Sequence, residues 1–143
     1  MYAYCWYEQT HHAIKFGVAQ MPAERMVTYA VEFGLRPAPS SLQVVDIPSG
    51  DAIKVHNQIV SIFIEGLELR NVDGFTELYR LGEKYNYVEL RQLFGITVRD
   101  ILMFIAASDS RKKKRLRQLA VDRIIEWKDI NNGGSHEDDD DNG

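Results

Sequence analysis

The chain has 143 residues, enough for one domain with a buried core, and 45% of them are apolar. Its net charge of −4 includes five carboxylates in the terminal "HEDDDDNG"; without them the rest of the chain stands at +1. No basic-then-apolar leader opens the sequence, so no secretory signal is expected. The longest apolar run, "ILMFIAA" (101–107), is too short for a bilayer. A single cysteine, Cys5, excludes an internal disulfide and a cysteine-based metal cluster, and a reducing intracellular compartment is the natural expectation.

Residues 2–7, "YAYCWY", alternate large and small side chains as a strand does, and "AIKFGVA" (13–19) reads as its hairpin partner. His11 and His12 fall at the turn between them. They suggest a metal pair, but adjacent turn residues more often face opposite ways. Pro22 opens a helix that Gly34 ends, with Val27, Ala30, Val31 and Phe33 expected to face inward. "RPAPSS" (36–41) is a loop, and "LQVVDI" (42–47) is a third strand. A second helix is expected over 49–69, with Ile53, Ile59, Ile62 and Phe63 on its buried face. "RNVDG" (70–74) reads as a turn, and "FTELYRLGEKY" (75–85) has no decisive period.

From about residue 87 the chain is helical. Gly95 marks an expected break, with Thr97 capping the second half, an outline that also fits a helix-turn-helix. A last helix over 110–130 places Leu116, Leu119, Ala120, Ile124 and Trp127 on one stripe. It begins with "RKKKRLR" (111–117), six positive charges in seven residues. Arg111, Lys112, Lys113, Lys114, Arg115 and Arg117 either form a solvated face or track phosphates, making binding steeply salt-sensitive. The order of elements predicts an α+β fold with a small, mostly antiparallel three-stranded sheet flanked by helices. Residues 1–85 form the expected catalytic domain, 86–130 a helical extension and 131–143 a disordered acidic tail.

The opening spacing resembles the GIY-YIG nuclease superfamily. "YAY" (2–4) stands where that family has Gly-Ile-Tyr, "KFG" (15–17) where it has Tyr-Ile-Gly, and Arg25 and Tyr29 follow on the next helix. "TELYRL" (76–81) is similar to the glutamate-led aromatic segment of the phage-type branch, which also commonly carries Lys-x-Gly at the second motif. The resemblance spans roughly residues 2–82. It implies a Mg²⁺-dependent endonuclease acting on nucleic acid, DNA in the first instance, with no membrane partner. Tyr4 (or Tyr29) would be the base, Lys15 an electrostatic helper that favours the phenolate, Arg25 a bidentate phosphate clamp and Glu77 the metal ligand. Gly17 would let DNA approach the strand end, and His56 would bind a phosphate or sit as polar surface. Glu65 and Glu68 are rival acids on a helix end. Tyr2 and Trp6 are expected to be core. Two alternatives remain open: a non-catalytic nucleic-acid-binding module on the same fold, and a small α+β domain whose helical half docks on a protein.

Overall fold

The structure, a computed structural model, describes residues 1–131 with their side chains. Of the expected disordered tail (131–143), the backbone is described to Asn142, and no side chain is described beyond Asn131.

Alternation does place the first two strands. β1 (Tyr2–Glu8) and β2 (Ala13–Ala19) form an antiparallel hairpin with Tyr4 opposite Gly17 and Trp6 opposite Lys15. β1 also pairs with β3 (Gln43–Asp46) on its other side. Both faces of β1 are covered, so its alternating side chains enter two cores. Tyr4 and Trp6 point into one apolar cluster, Ala3 and Cys5 into another.

The sheet has five strands, not three. β4 (Arg70–Asn71) and β5 (Leu78–Arg80) add a second small hairpin, giving the order β3-β1-β2-β5-β4 with every pair antiparallel. Strands of two and three residues are too short to show a period, so "RNVDG" read only as a turn.

One helix covers the Tyr4 face. α1 (Pro22–Phe33) starts on a proline and stops at Gly34, whose φ of 65° suits a residue without Cβ. Its buried stripe is Met26, Tyr29 and Ala30. Val27, Val31 and Phe33, expected inside, are exposed, Val31 by 80%. A lone helix on a sheet needs only a narrow apolar stripe.

Two helices cover the opposite face, α2 (Ala52–Leu67) and α3 (Tyr87–Ala106), and α4 (Ser110–Asn142) packs on both of them. Val55, Ile59, Ile62 and Phe63 form the inner stripe of α2, while Ile53 is 78% exposed. Phe63 and Phe94 stack against Phe16 of β2, with centroids 4.9 and 6.0 Å away. α2 and α4 touch at Gly66, where an added Cβ would fall 2.5 Å from Ile124. This one core joins residues of the first 85 positions to Leu90, Phe94, Val98, Ala120, Val121 and Ile124. Leu119, expected on the α4 stripe, is exposed.

α3 runs unbroken through Gly95. Thr97 caps nothing: it is buried mid-helix, and its hydroxyl donates to the Leu93 carbonyl oxygen at 2.8 Å. The helix-turn-helix outline is therefore a single helix. Among the described residues, no helix is long and apolar enough to cross a membrane.

Glu8 closes the first hairpin. Its carboxylate is wholly buried, yet it accepts from the Thr10, His11 and Arg36 amides at 3.1, 2.7 and 2.9 Å and from His11 Nδ1 at 2.7 Å. Burial pushes the carboxyl up, but these four bonds together outweigh it and hold the group below its ordinary value. The stabilisation is present above the unfolded carboxylate value and is lost as pH falls through the folded one. Glu8→Gln should cost about 2–3 kcal/mol in urea unfolding at pH 7, because an amide cannot accept all four bonds. The gap to wild type should narrow below about pH 4.

Candidate functional site

β5 is short, and this opens the site. The β2–β5 ladder ends at Lys15 opposite Leu78, so Phe16 to Ala19 have no partner on that edge. Glu77, the residue before β5, sits at the end of the ladder beside Lys15. α1 brings Arg25 and Tyr29 to one face of this gap, and α2 brings His56 to its mouth.

Lys15 lies at the centre. Its side chain is almost fully buried, and Nζ donates to the Phe16 carbonyl oxygen at 2.8 Å. The same ammonium is 3.7 Å from Glu77 Oε2 and 4.9 Å from the centre of the Tyr29 ring. Burial pulls the amine below its ordinary value; Glu77 works against this and Arg25 with it. Glu77 is half exposed, so only part of its carboxylate is committed to Lys15.

Tyr4 is buried, and its hydroxyl faces the Arg25 guanidinium. Burial raises the phenol and outweighs Arg25, which lowers it. Tyr29 is pushed up to about 12, by burial first and by the Glu77 charge second. Burial thus holds both phenols above their ordinary range, and Arg25 is the one cation that lowers them. Lys15 stands across from Trp6, not Tyr4, and its charge is directed at Glu77.

Gly17 also has a different role from the expected one. A Cβ there would lie 2.3 Å from the Tyr4 hydroxyl and 2.4 Å from Cζ. The Tyr4 ring fills the space over Gly17, so the missing side chain accommodates the tyrosine and leaves no opening at that face.

Beside this cluster lies a cleft of about 250 Å³ lined by Phe16, His56, Asn57, Val60, Ser61, Glu77 and Tyr79. His56 is held below its ordinary 6.5, by burial first and by the Lys15 charge second, with Glu77 opposing. It is thus a neutral imidazole at pH 7, suited to accept a proton and unsuited to pair with phosphate as a cation. Asn57 and Ser61 escape a motif-based reading; their one signal is polar spacing of four on the side of α2 that also carries Lys54 and Gln58.

The structure thus brings Tyr4, Lys15, Arg25, Tyr29, His56 and Glu77 together. The basic run is adjacent, not part of the cluster. Arg117 reaches α2, donating to Ser61 Oγ at 2.8 Å and lying 3.5 Å from Glu65. Arg111, Lys112, Lys114 and Arg115 are exposed. Glu68 faces Lys128 at 3.7 Å, away from the site.

No group of three or more His, Cys, Asp or Glu side chains that could hold a metal occurs among the described residues. Glu77 is the one carboxylate facing the cleft, on the lining described. Its exposed oxygen suits a hydrated Mg²⁺ held by one or two carboxylates and otherwise by water. The histidine pair does not form a metal site: His11 bonds Glu8, while His12 contacts the Tyr7 hydroxyl and the Gly82 carbonyl oxygen. A larger cavity, about 510 Å³, lies between Tyr7, Ser41, Tyr87 and Arg91. Its polar groups satisfy one another: Tyr87 donates to the Ser41 carbonyl oxygen and Arg91 to that of Ser40, both at 2.8 Å. It reads as a seam in the packing. Cys5, behind it, is raised to about 12 by burial and is chemically quiet.

No family model, no curated protein and no solved structure matches this chain.

Gly17→Ala should lower stability by about 1–3 kcal/mol in thermal or urea unfolding, through displacement of the Tyr4 ring. Adding Tyr4→Ala should recover part of that loss, so the double-mutant cycle should show favourable coupling. Strict additivity would mean that the ring does not occupy this space.

Proposed function

We propose that the chain is a metal-dependent endonuclease of GIY-YIG type that hydrolyses phosphodiester bonds in DNA. The observation that carries this reading is the convergence of a guanidinium, an ammonium, two phenols, a neutral imidazole and one half-exposed carboxylate at a gap in the sheet. This set supplies what in-line displacement at phosphorus requires.

Arg25 holds two phosphate oxygens in its planar fork. Tyr4 and Tyr29, kept protonated by burial, donate hydrogen bonds to the same group. His56 accepts the proton of the attacking water as the new P–O bond forms. The opposite P–O bond breaks, and the departing oxygen takes up a proton. Glu77 would hold one Mg²⁺, which supplies positive charge against the phosphate oxygens. Lys15 contributes fixed charge at the floor of the site. The exposed cations of α4 hold the DNA further along.

Plasmid cleavage in magnesium tests this reading. Glu77→Ala should abolish cutting, and Arg25→Ala should slow it by about 100-fold or more. Equal cutting by Glu77→Ala and wild type would remove Glu77 from the site. The pH–rate profile identifies the base. With His56 the acid limb falls below that group's ordinary 6.5 and disappears in His56→Ala. With a tyrosine the rate would instead climb through the alkaline range. Replacing Lys112, Lys114 and Arg115 by serine should flatten the log–log salt dependence of DNA binding by about 0.9 per lost contact.

The Lys15–Glu77 ion pair favours a second reading: a module on the same fold that binds nucleic acid without cutting it. It predicts salt-sensitive binding, no cleavage in any divalent metal, and Glu77→Ala binding at wild-type strength.

A further inference from the structure

α2 and α4 lie side by side and run in the same direction: Ser61 meets Arg117, Gly66 meets Ile124 and Glu68 meets Lys128. Positions 113, 117, 120, 124 and 128 therefore form the stripe of α4 that faces α2. Ala120 and Ile124, in its middle, are buried. The other three are cations, and two of them meet a carboxylate of α2. Arg117 lies 3.5 Å from Glu65, and Lys128 lies 3.7 Å from Glu68. Lys113 is the exception. It shares with Lys54 a cleft of about 250 Å³ where α2, α3 and α4 meet.

No carboxylate lines that cleft; its side chains are Lys54, Asn57, Gln58, Phe104, Ile105 and Lys113. Among the described residues, neither lysine has a carboxylate partner. Asp109, four residues before Lys113, accepts from the Arg111 amide instead. Asp51, three residues before Lys54, does not line the cleft. The Phe104 ring, 6.0 Å from Lys113 Nζ, is a weak substitute for a carboxylate at that distance. Two ammonium groups facing one cleft repel each other. Lys113 also stands near the start of α4, where a cation opposes the helix dipole. An anion seated between the two lysines removes both costs.

The surroundings favour a phosphate that belongs to a strand. Asn57 lines this cleft and also the one that holds His56 and Glu77, so the two adjoin along α2. Phe104 and Ile105 supply an apolar wall that a sugar covers and a free anion leaves bare. We propose that Lys54 and Lys113 together grip one phosphodiester of the bound strand, beyond the phosphate engaged at Arg25 and Glu77, so that the strand leaves the site along the groove between α2 and α4. The inference rests on the nucleic-acid reading of the neighbouring site, and its test separates the two.

Thermal unfolding in low-salt buffer without phosphate reads the repulsion. Lys54→Met and Lys113→Met should each unfold at or above the wild-type temperature, whereas Arg117→Met, which loses Glu65, should unfold below it. Fluorescence anisotropy then measures binding of a short labelled DNA duplex in EDTA, where cutting cannot occur. Each lysine variant should bind about 5- to 10-fold more weakly. Because both lysines hold one phosphate, the double variant should lose less than the product of the single losses. Its log–log salt slope should flatten by about 0.9, the value of one contact, and not by twice that. Lys112→Ser, exposed beside the stripe, should weaken binding independently of both.

Lysine variants that unfold early and bind normally would make both residues structural and overturn the grip, as would single losses that multiply in full. Inorganic phosphate that stabilises wild type but neither variant, with DNA binding unchanged by either substitution, would assign the cleft to a free anion and overturn the strand path. Plasmid cleavage with both lysines dispensable would leave the nuclease standing without the path. Lysine-dependent binding without cleavage in magnesium would leave the path standing without the nuclease. Absence of DNA binding by wild type would overturn both.

Discussion

Everything at the gap depends on the register of the first hairpin. Side chains alternate across a strand, so a slip of one residue would turn Lys15 away from Glu77 and carry Tyr4 to the other face. The pairing of Tyr4 with Gly17 prevents this sterically. Only a residue without Cβ can lie under that ring, and Gly17 is the one glycine in β2. Glu8 acts at the other end. By accepting four bonds from the turn and from Arg36 it fixes where the strands reverse and ties the loop after α1 to the same point. The helix that carries Arg25 and Tyr29 is thus anchored to the hairpin that carries Tyr4 and Lys15.

Given that register, the chemistry of the site follows from burial. An ammonium almost fully removed from water is costly unless something offsets it. Here a carbonyl oxygen, the face of Tyr29 and a half-exposed carboxylate share that task. The same burial keeps the two tyrosines protonated and His56 neutral. Acids and bases in one pocket are thereby sorted into donors and an acceptor. A resemblance in spacing could assign positions to these residues but not protonation states. Those depend on how deeply each group sits and which charges face it.

The sequence was most legible where local geometry and tertiary packing agree. β1, β2 and α1 carry a clear period, a proline start and a glycine stop, and they appear within a residue of their expected bounds. Glu77 was legible only through family-like spacing, since an isolated exposed glutamate has no local signature. Gly95 misled because the intrinsic cost of glycine in a helix, about 1 kcal/mol, is small beside the packing of Leu90, Leu93, Phe94, Val98 and Ile101 around it. Val31 and Ile53 are apolar yet exposed, as apolar atoms make up much of any protein surface. β4 and β5 stayed hidden because their existence depends on the exposed edge of β2, which lies more than fifty residues earlier in the chain.

The C-terminal helices add a constraint that the first 85 residues alone would not meet. α2 is the element that both halves share. Its inner stripe packs on β2 and α3, and Gly66 lets α4 approach closely. Its polar side carries Asn57 and Ser61 between the His56–Glu77 cleft and the start of the basic helix. Arg117 is held there by Ser61 and Glu65, which positions α4 and leaves the earlier cations of the run exposed. The positive charge is therefore presented at a fixed distance from the gap, on a helix whose buried face belongs to the same core.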